Sequence, residues 1–228
     1  MKFFPRSGSF RSDCVQTHSS MRTTFGFLSA NASVYRRAWL CALALAALLA
    51  GCTPVETAGS NSLDITGAAY GNDFRLADTQ GRERTLADFR GKVVLLFFGF
   101  TQCPDICPTA LTSALEVLQA LGDDGSKVQV LFVSLDPERD TPEVLTAFVG
   151  SFHPSFVALS ADMAHTRTTA EHFKVFYRKA PLGGSYTIEH SAITYVFDTT
   201  GHVRLASRPG QPPQRLADDV KRLLASAG

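Results

Sequence analysis

"KVVLLFFGFTQCPDICPTAL" (Lys92–Leu111) changes character in its middle. Lys92 to Phe98 is an unbroken apolar and β-branched run, the pattern of a strand buried on both faces. After Gly99 come two cysteines four apart, Cys103 and Cys107, each followed by proline. Pro108 suits a helix only in its first turn, where the missing N–H breaks no bond. Leu111, Leu115, Leu118 and Leu121 then continue at helical spacing. The stretch predicts a buried strand, a short corner, and a helix that begins close to Cys107. Two thiols at such a corner can form a structural bridge, exchange disulfides, or hold a metal.

Working outward, "KVQVLFVSL" (Lys127–Leu135) reads as a second buried strand. Thr141-Pro142-Glu143 then supplies an N-cap, a proline at the first helical position and an acid in the first turn. "FVALS" (156–160) is a third strand, and Asp162 to Phe173 a helix. "VFYRK" (175–179) reads as a short strand before a loop from Ala180 to Glu189. "ITYVFD" and "VRLAS" flank Thr199-Thr200-Gly201 as a hairpin, and Pro213 to Ser226 closes as an amphipathic helix. Upstream, "DFRLADTQGRERTLADF" (73–89) gives two short strands around Thr79-Gln80-Gly81. Strands alternating with helices predict an α/β fold. A buried strand leading into a cysteine-bearing helix fits a thioredoxin-like one, a mixed central sheet flanked by helices with an added N-terminal hairpin, over residues 72–228.

The rest of the chain sets the context. Its 228 residues suit one domain plus appendages. A formal charge of +1 gives no electrostatic case for nucleic acid. "VYRRAWLCALALAALLAGC" (34–52) has two arginines, an apolar run from Ala38 to Ala50, and Gly51-Cys52. A basic start followed by roughly 7–15 apolar residues is a secretory signal, too short for a membrane span. "LAGC" resembles a bacterial lipobox, which implies cleavage before Cys52 and lipidation of that cysteine. Residues 1–51 are therefore expected to be a signal peptide, with Met21 a possible true start. Residues 52–71, polar and turn-rich from Thr53, read as a lipidated tether. Acyl chains anchor without spanning, so the domain is expected on a membrane surface in the bacterial envelope, facing the periplasm. Of five cysteines, only Cys103 and Cys107 remain in the folded domain.

A bridge between those two encloses a very small loop and constrains little of the unfolded chain. A helix N-terminus favours thiolates, which helps both exchange and metal binding. Two thiolates are too few for a metal, so a third ligand is needed. His165 and His172 lie on a surface helix, His153 precedes Pro154 in a loop, and His202 sits in the terminal hairpin; each reads as solvated or structural. His190, in "YTIEHSAITYVFD", stands where a loop feeds a buried strand, and a thioredoxin-like sheet brings that loop near the cysteine helix. Three ligands leave a tetrahedral zinc site one short. Two soft sulfurs with one imidazole suit copper, cuprous copper in particular.

Three segments together resemble the Sco (SenC/PrrC) family, the copper proteins of cytochrome oxidase assembly. They are "GFTQCPDICPTAL" around the CPxxCP core, "SLDPERDTPEVL" with Asp136 and Asp140 spaced D-x-x-x-D, and "YTIEHSAITYVFD". The resemblance runs from about Gly71 to Leu224. It implies copper, as Cu(I), Cu(II) or both, held by Cys103, Cys107 and His190, and a reversible Cys103–Cys107 disulfide in the metal-free state. It also implies a copper-accepting oxidase subunit as partner, with another copper chaperone or a thiol reductant possible alongside it. Gln102 stands where the family usually has histidine, and Glu189 keeps the negative charge of a common acid before His190. Asp136 reads as a turn acid and Asp140 as a cap for the helix near Pro142, with direct ligation, support of the metal site or partner docking as the alternatives for both. The function expected is a membrane-anchored copper metallochaperone. The alternative is a thiol–disulfide reductase, with Cys103 and Cys107 as its redox pair, that keeps the acceptor cysteines reduced. A peroxidatic cysteine, which needs an arginine and a threonine beside the thiolate, is a third reading with only Thr101 at hand.

Overall fold

A computed structural model describes residues 60–226. The apolar run before the cysteines forms β4 (Val93–Gly99), and every one of its residues is buried. It pairs in parallel with β5 (Val128–Ser134), which pairs in parallel with β6 (Val157–Ser160). On the other side β4 meets β9 (Thr194–Phe197) antiparallel, and β10 (Val203–Ser207) adds antiparallel to β9. At the far edge β6 takes β2 (Leu76–Asp78), whose hairpin partner is β3 (Glu83–Arg84). At the near edge β10 takes β1 (Leu63–Asp64). The eight-stranded mixed sheet therefore runs β1-β10-β9-β4-β5-β6-β2-β3.

Side chains leave alternate faces of a strand, and β4 uses both. Leu95 and Phe97 face α1 (Ile106–Leu121) and α4 (Pro213–Ala225), helices that pack on each other and on this strand. Phe98 points the other way, its ring 5.1 Å from Phe173, which meets Phe197 in a T-shaped contact in turn. Helix α2 (Pro142–Gly150) covers β5 and β6, with Phe148 5.3 Å from Phe132. Thr141 caps it, accepting from the Val144 N–H, and Asp162 caps α3 (Met163–His172) through the His165 N–H. Both caps satisfy otherwise orphaned helix donors.

One expectation needs correction. Residues 180–189 are not a loop. Tyr177–Leu182 (β7) and Ser185–His190 (β8) form a two-stranded ladder in full register, closed by Gly183-Gly184 with both φ positive. That is the turn a two-residue hairpin requires; Pro181 masked it, because proline is tolerated on a ladder that has no outer neighbour. Residues 60–71, expected to belong to a tether, are described as well. From Ser60 the chain already packs on the domain, because buried Asp219 of α4 accepts from the Asn61 and Ser62 amides and the Ser62 hydroxyl. Among the described residues no helix is long and apolar enough to cross a membrane. Residues 1–51 and Cys52, the expected lipidation site, lie outside the described residues.

Candidate metal centre

The site is built at the end of β4. Gly99 closes the strand, and a Cβ there would stand 2.7 Å from the Cys107 sulfur and 2.8 Å from the Phe132 ring. Only a glycine lets the strand pass this close. The chain turns through Thr101 and Gln102, with the Cys103 N–H donating to the Phe100 carbonyl at 3.3 Å. Helix α1 then starts at Ile106, one residue before the expected position, and buries Cys107 completely in its first turn. The Cys107 N–H, a helix-terminal donor with no intrahelical partner, donates to the Cys103 sulfur at 3.4 Å. Both cysteines are free thiols.

His190 arrives from the end of β8. Its Nδ1 lies 3.0 Å from the Ser191 carbonyl, an acceptor, so Nδ1 carries the proton and donates. The lone pair is left on Nε2, 3.7 Å from the Cys107 sulfur. The rings of Phe97 and Phe100 stand nearly perpendicular to the imidazole, centroids 6.0 Å apart, and hold its plane. A backbone carbonyl that fixes tautomer and orientation is how metal-ligating histidines are commonly prepared. The ligand atoms of Cys103, Cys107 and His190 all lie within 4.8 Å of one another, and among the described residues no other group of three histidines, cysteines or acids does so.

Electrostatics suit a cation. Burial pushes the Cys107 thiol well above its ordinary range, with nearby Cys103 and Asp140 adding to the effect. Burial also lowers the His190 pKa, against the opposing pull of the Ser191 carbonyl. The metal-free site is thus disposed to hold neutral groups. A thiolate buried here needs a positive partner, and a soft monovalent or divalent metal provides one. Cys103 is only half-buried, and beside it Ile106 is 42% exposed, so the site opens to solvent on the Cys103 side.

The remaining candidates fall outside the triad. His172 bonds the Asn72 side chain, His202 the Thr200 hydroxyl and His153 the Ser155 hydroxyl, all on the surface. Asp140 does not cap α2, because Thr141 does. Its buried carboxylate instead accepts from the Thr101 hydroxyl and the Ser134 hydroxyl, both at 2.6 Å, tying the cysteine loop to the end of β5. Burial raises its pKa despite these bonds. Asp136 is fully buried, bonded to Arg139 and to the Tyr186 hydroxyl at 2.8 Å. Sequence reasoning passed over Arg139 and Tyr186, although Arg139 lies inside the SLDPERD segment. For the peroxidatic reading, the Thr101 hydroxyl is already bonded to Asp140, and Arg139 uses its Nε on Asp136 and its Nη1 on Gln102 and Tyr186, leaving Nη2 unpartnered among the described residues.

A buried strand, a cysteine-bearing helix start and a histidine delivered by a hairpin define a thioredoxin-like protein with a sulfur- and nitrogen-lined site. The SCO1/SenC family profile matches residues 64–225, and the chain belongs to that family. An SCO2-like protein of Rickettsia felis is 35% identical over 176 residues, covering 73% of this chain and 85% of its own. The copper-bound structure of Bradyrhizobium japonicum ScoI is 39% identical with a TM-score of 0.63, over 68% of this chain and all of that one. Copper-bound yeast Sco1 is 30% identical with a TM-score of 0.62, over 69% and 89% of the two chains.

Proposed function

We propose that this protein is a membrane-anchored copper metallochaperone that passes copper to the dinuclear copper site of a cytochrome oxidase. The observation that carries the reading is the convergence of two cysteine sulfurs and a histidine Nε2 within 4.8 Å. The donor set fits copper: two soft thiolates and one imidazole match cuprous preference and fall one ligand short of structural zinc. Cys107 and His190 form the inner wall and retain the cargo. Cys103, half-buried beside exposed Ile106, is the ligand an incoming acceptor thiol reaches first. Copper is the substrate of this exchange, and the chain's task is to hold it tightly yet within reach. Copper-bound relatives at 39% and 30% identity support the same assignment. Anchoring through lipidated Cys52, in the bacterial envelope facing the periplasm, completes the proposal. Cys52→Ser is expected to release or mislocalise the protein, and native protein carrying an unlipidated residue 52 by mass spectrometry contradicts the anchor.

The second reading, a thiol–disulfide reductase for the acceptor cysteines, has one observation in its favour: a half-buried thiol with a buried thiol beside it, free to act as attacking and resolving groups. His190→Ala separates the two. It leaves both thiols and the helix start in place while removing the nitrogen ligand. Thiol exchange is expected to persist while oxidase assembly fails. Normal assembly by His190→Ala would replace the chaperone with the reductase.

A further inference from the structure

The β7–β8 hairpin stands outside the main sheet, and an isolated two-stranded ladder is marginal in water. Yet its last residue is His190, whose Nε2 must be held relative to two sulfurs on a different element. At its base the Ser191 N–H donates to the Phe176 carbonyl and the Phe176 N–H to the Ser191 hydroxyl, bonds that join the hairpin's own two strands and not the hairpin to the sheet. Four residues up β8, Tyr186 fastens it to the domain. Its hydroxyl donates to Asp136, and two cations lie over its ring, the Arg139 guanidinium 3.7 Å and the Lys179 ammonium 4.3 Å from its centre. Lys179 of β7 also pairs with Glu138.

Arg139 differs from the other contacts because it reaches both halves of the site. Its Nε donates to Asp136. Its Nη1 donates to the Tyr186 carbonyl on the hairpin at 2.9 Å and to the Gln102 side-chain oxygen, next to Cys103, at 3.0 Å. The side chain is 16% exposed, and its anchor Asp136 is fully buried. A planar guanidinium aims its donors in fixed directions, so anchoring one edge on Asp136 sets where the other meets Gln102 and Tyr186. We propose that Arg139 is a positioning residue that clamps the hairpin carrying His190 to the loop carrying Cys103, and so sets how firmly the site keeps its metal. This rests on the copper-binding reading above. Gln102, at the position where the resemblance expects histidine, then serves as the loop's acceptor for the clamp.

The test uses the reduced protein and three variants, with two readouts. In the metal-free state, Arg139→Gln is expected to raise amide hydrogen exchange across residues 178–190 by about tenfold, with β4 and β5 unchanged. Loaded with Cu(I), it is expected to release the metal to a chelator roughly 10–100-fold faster than wild type. Arg139→Lys keeps the charge but not the fork and is expected to release copper as Arg139→Gln does; wild-type release from it would reduce the role to charge and overturn the clamp. Gln102→Ala cuts only the arm to the cysteine loop at an exposed bond and keeps the test open if the arginine variants do not fold. It should speed release while leaving hairpin exchange at the wild-type level. Unchanged hairpin exchange and unchanged release in folded Arg139→Gln overturn the proposal, as does wild-type release from Gln102→Ala. Should wild type itself hold no copper, the copper reading fails, and the exchange comparison still decides whether the clamp exists.

Discussion

At the residue scale the chemistry rests on protons. Copper held here would take a thiolate at Cys107 and an unprotonated Nε2 at His190. Burial raises the Cys107 pKa, so at neutral pH the metal must displace its proton; burial lowers that of His190, whose imidazole is already neutral there. Affinity should therefore fall as pH falls, by about tenfold per pH unit for each proton displaced. No extra break is expected near pH ~6.5, the ordinary histidine value; that break lies lower. Competition titrations between about pH 5.5 and 8 check this, and a flat profile contradicts the ligand set. Gly99→Ala tests the packing beneath the sulfur. A Cβ there meets Cys107 and Phe132 at distances that force movement. The expected cost is about 1–3 kcal/mol of stability, with weaker copper binding, read by denaturant unfolding and metal titration. The convergence of the cysteine pair and His190 was legible in the sequence because residue type and spacing mark a corner of thiols and a histidine at a strand end. The direction of Asp140 was not. An acid one residue before Thr141-Pro142 reads as a cap, and only the arrival of Thr101 and Ser134 from other elements turns it inward.

At the element scale the long buried strands and the capped helices announce themselves by period and end signals, which are local. The β7–β8 hairpin does not. Its strands are half-exposed and polar, so little apolar alternation marks them, and contacts from Asp136, Glu138 and Arg139 keep them in place. The β2–β3 hairpin at the far edge makes a separate prediction. Burial pushes Asp78 up, but hydrogen bonds from the Arg82 amide, the Arg82 and Arg84 side chains and the Gln80 amide outweigh it and hold the pKa at about 2. A carboxylate depressed in the folded state adds stability above its unfolded value of about 3.9 and loses it as pH falls toward 2. Asp78→Asn should cost about 1–2 kcal/mol at neutral pH, allowing for solvent around Arg82, and the difference from wild type should vanish near pH ~2. Unfolding curves at the two pH values decide it, and a gap that persists in acid contradicts the assignment.

At the scale of the whole molecule, strand order was the least legible feature, because it depends on partners far apart in the chain. The N-terminal edge shows why. Asp219 belongs to an amphipathic helix, where an acid reads as solvent-facing, yet it is buried and grips Asn61 and Ser62. Asp219→Ala should leave those amides unsatisfied, cost about 1–3 kcal/mol, and expose the segment before Ile65 to proteolysis at the native state. Cleavage no faster than in wild type would place the hold elsewhere. The fold thus fastens its N-terminal segment, its cysteine loop and its histidine hairpin with three buried carboxylates, Asp219, Asp140 and Asp136, the last two holding the elements that carry Cys103 and His190. What the reduced protein binds decides its function. Loaded with Cu(I) in the presence of competing Zn(II), it should retain a single copper, with X-ray absorption reporting two sulfurs and one nitrogen and the nitrogen lost in His190→Ala. Displacement of copper by zinc, or a copper environment unchanged by His190→Ala, would contradict the copper-binding reading.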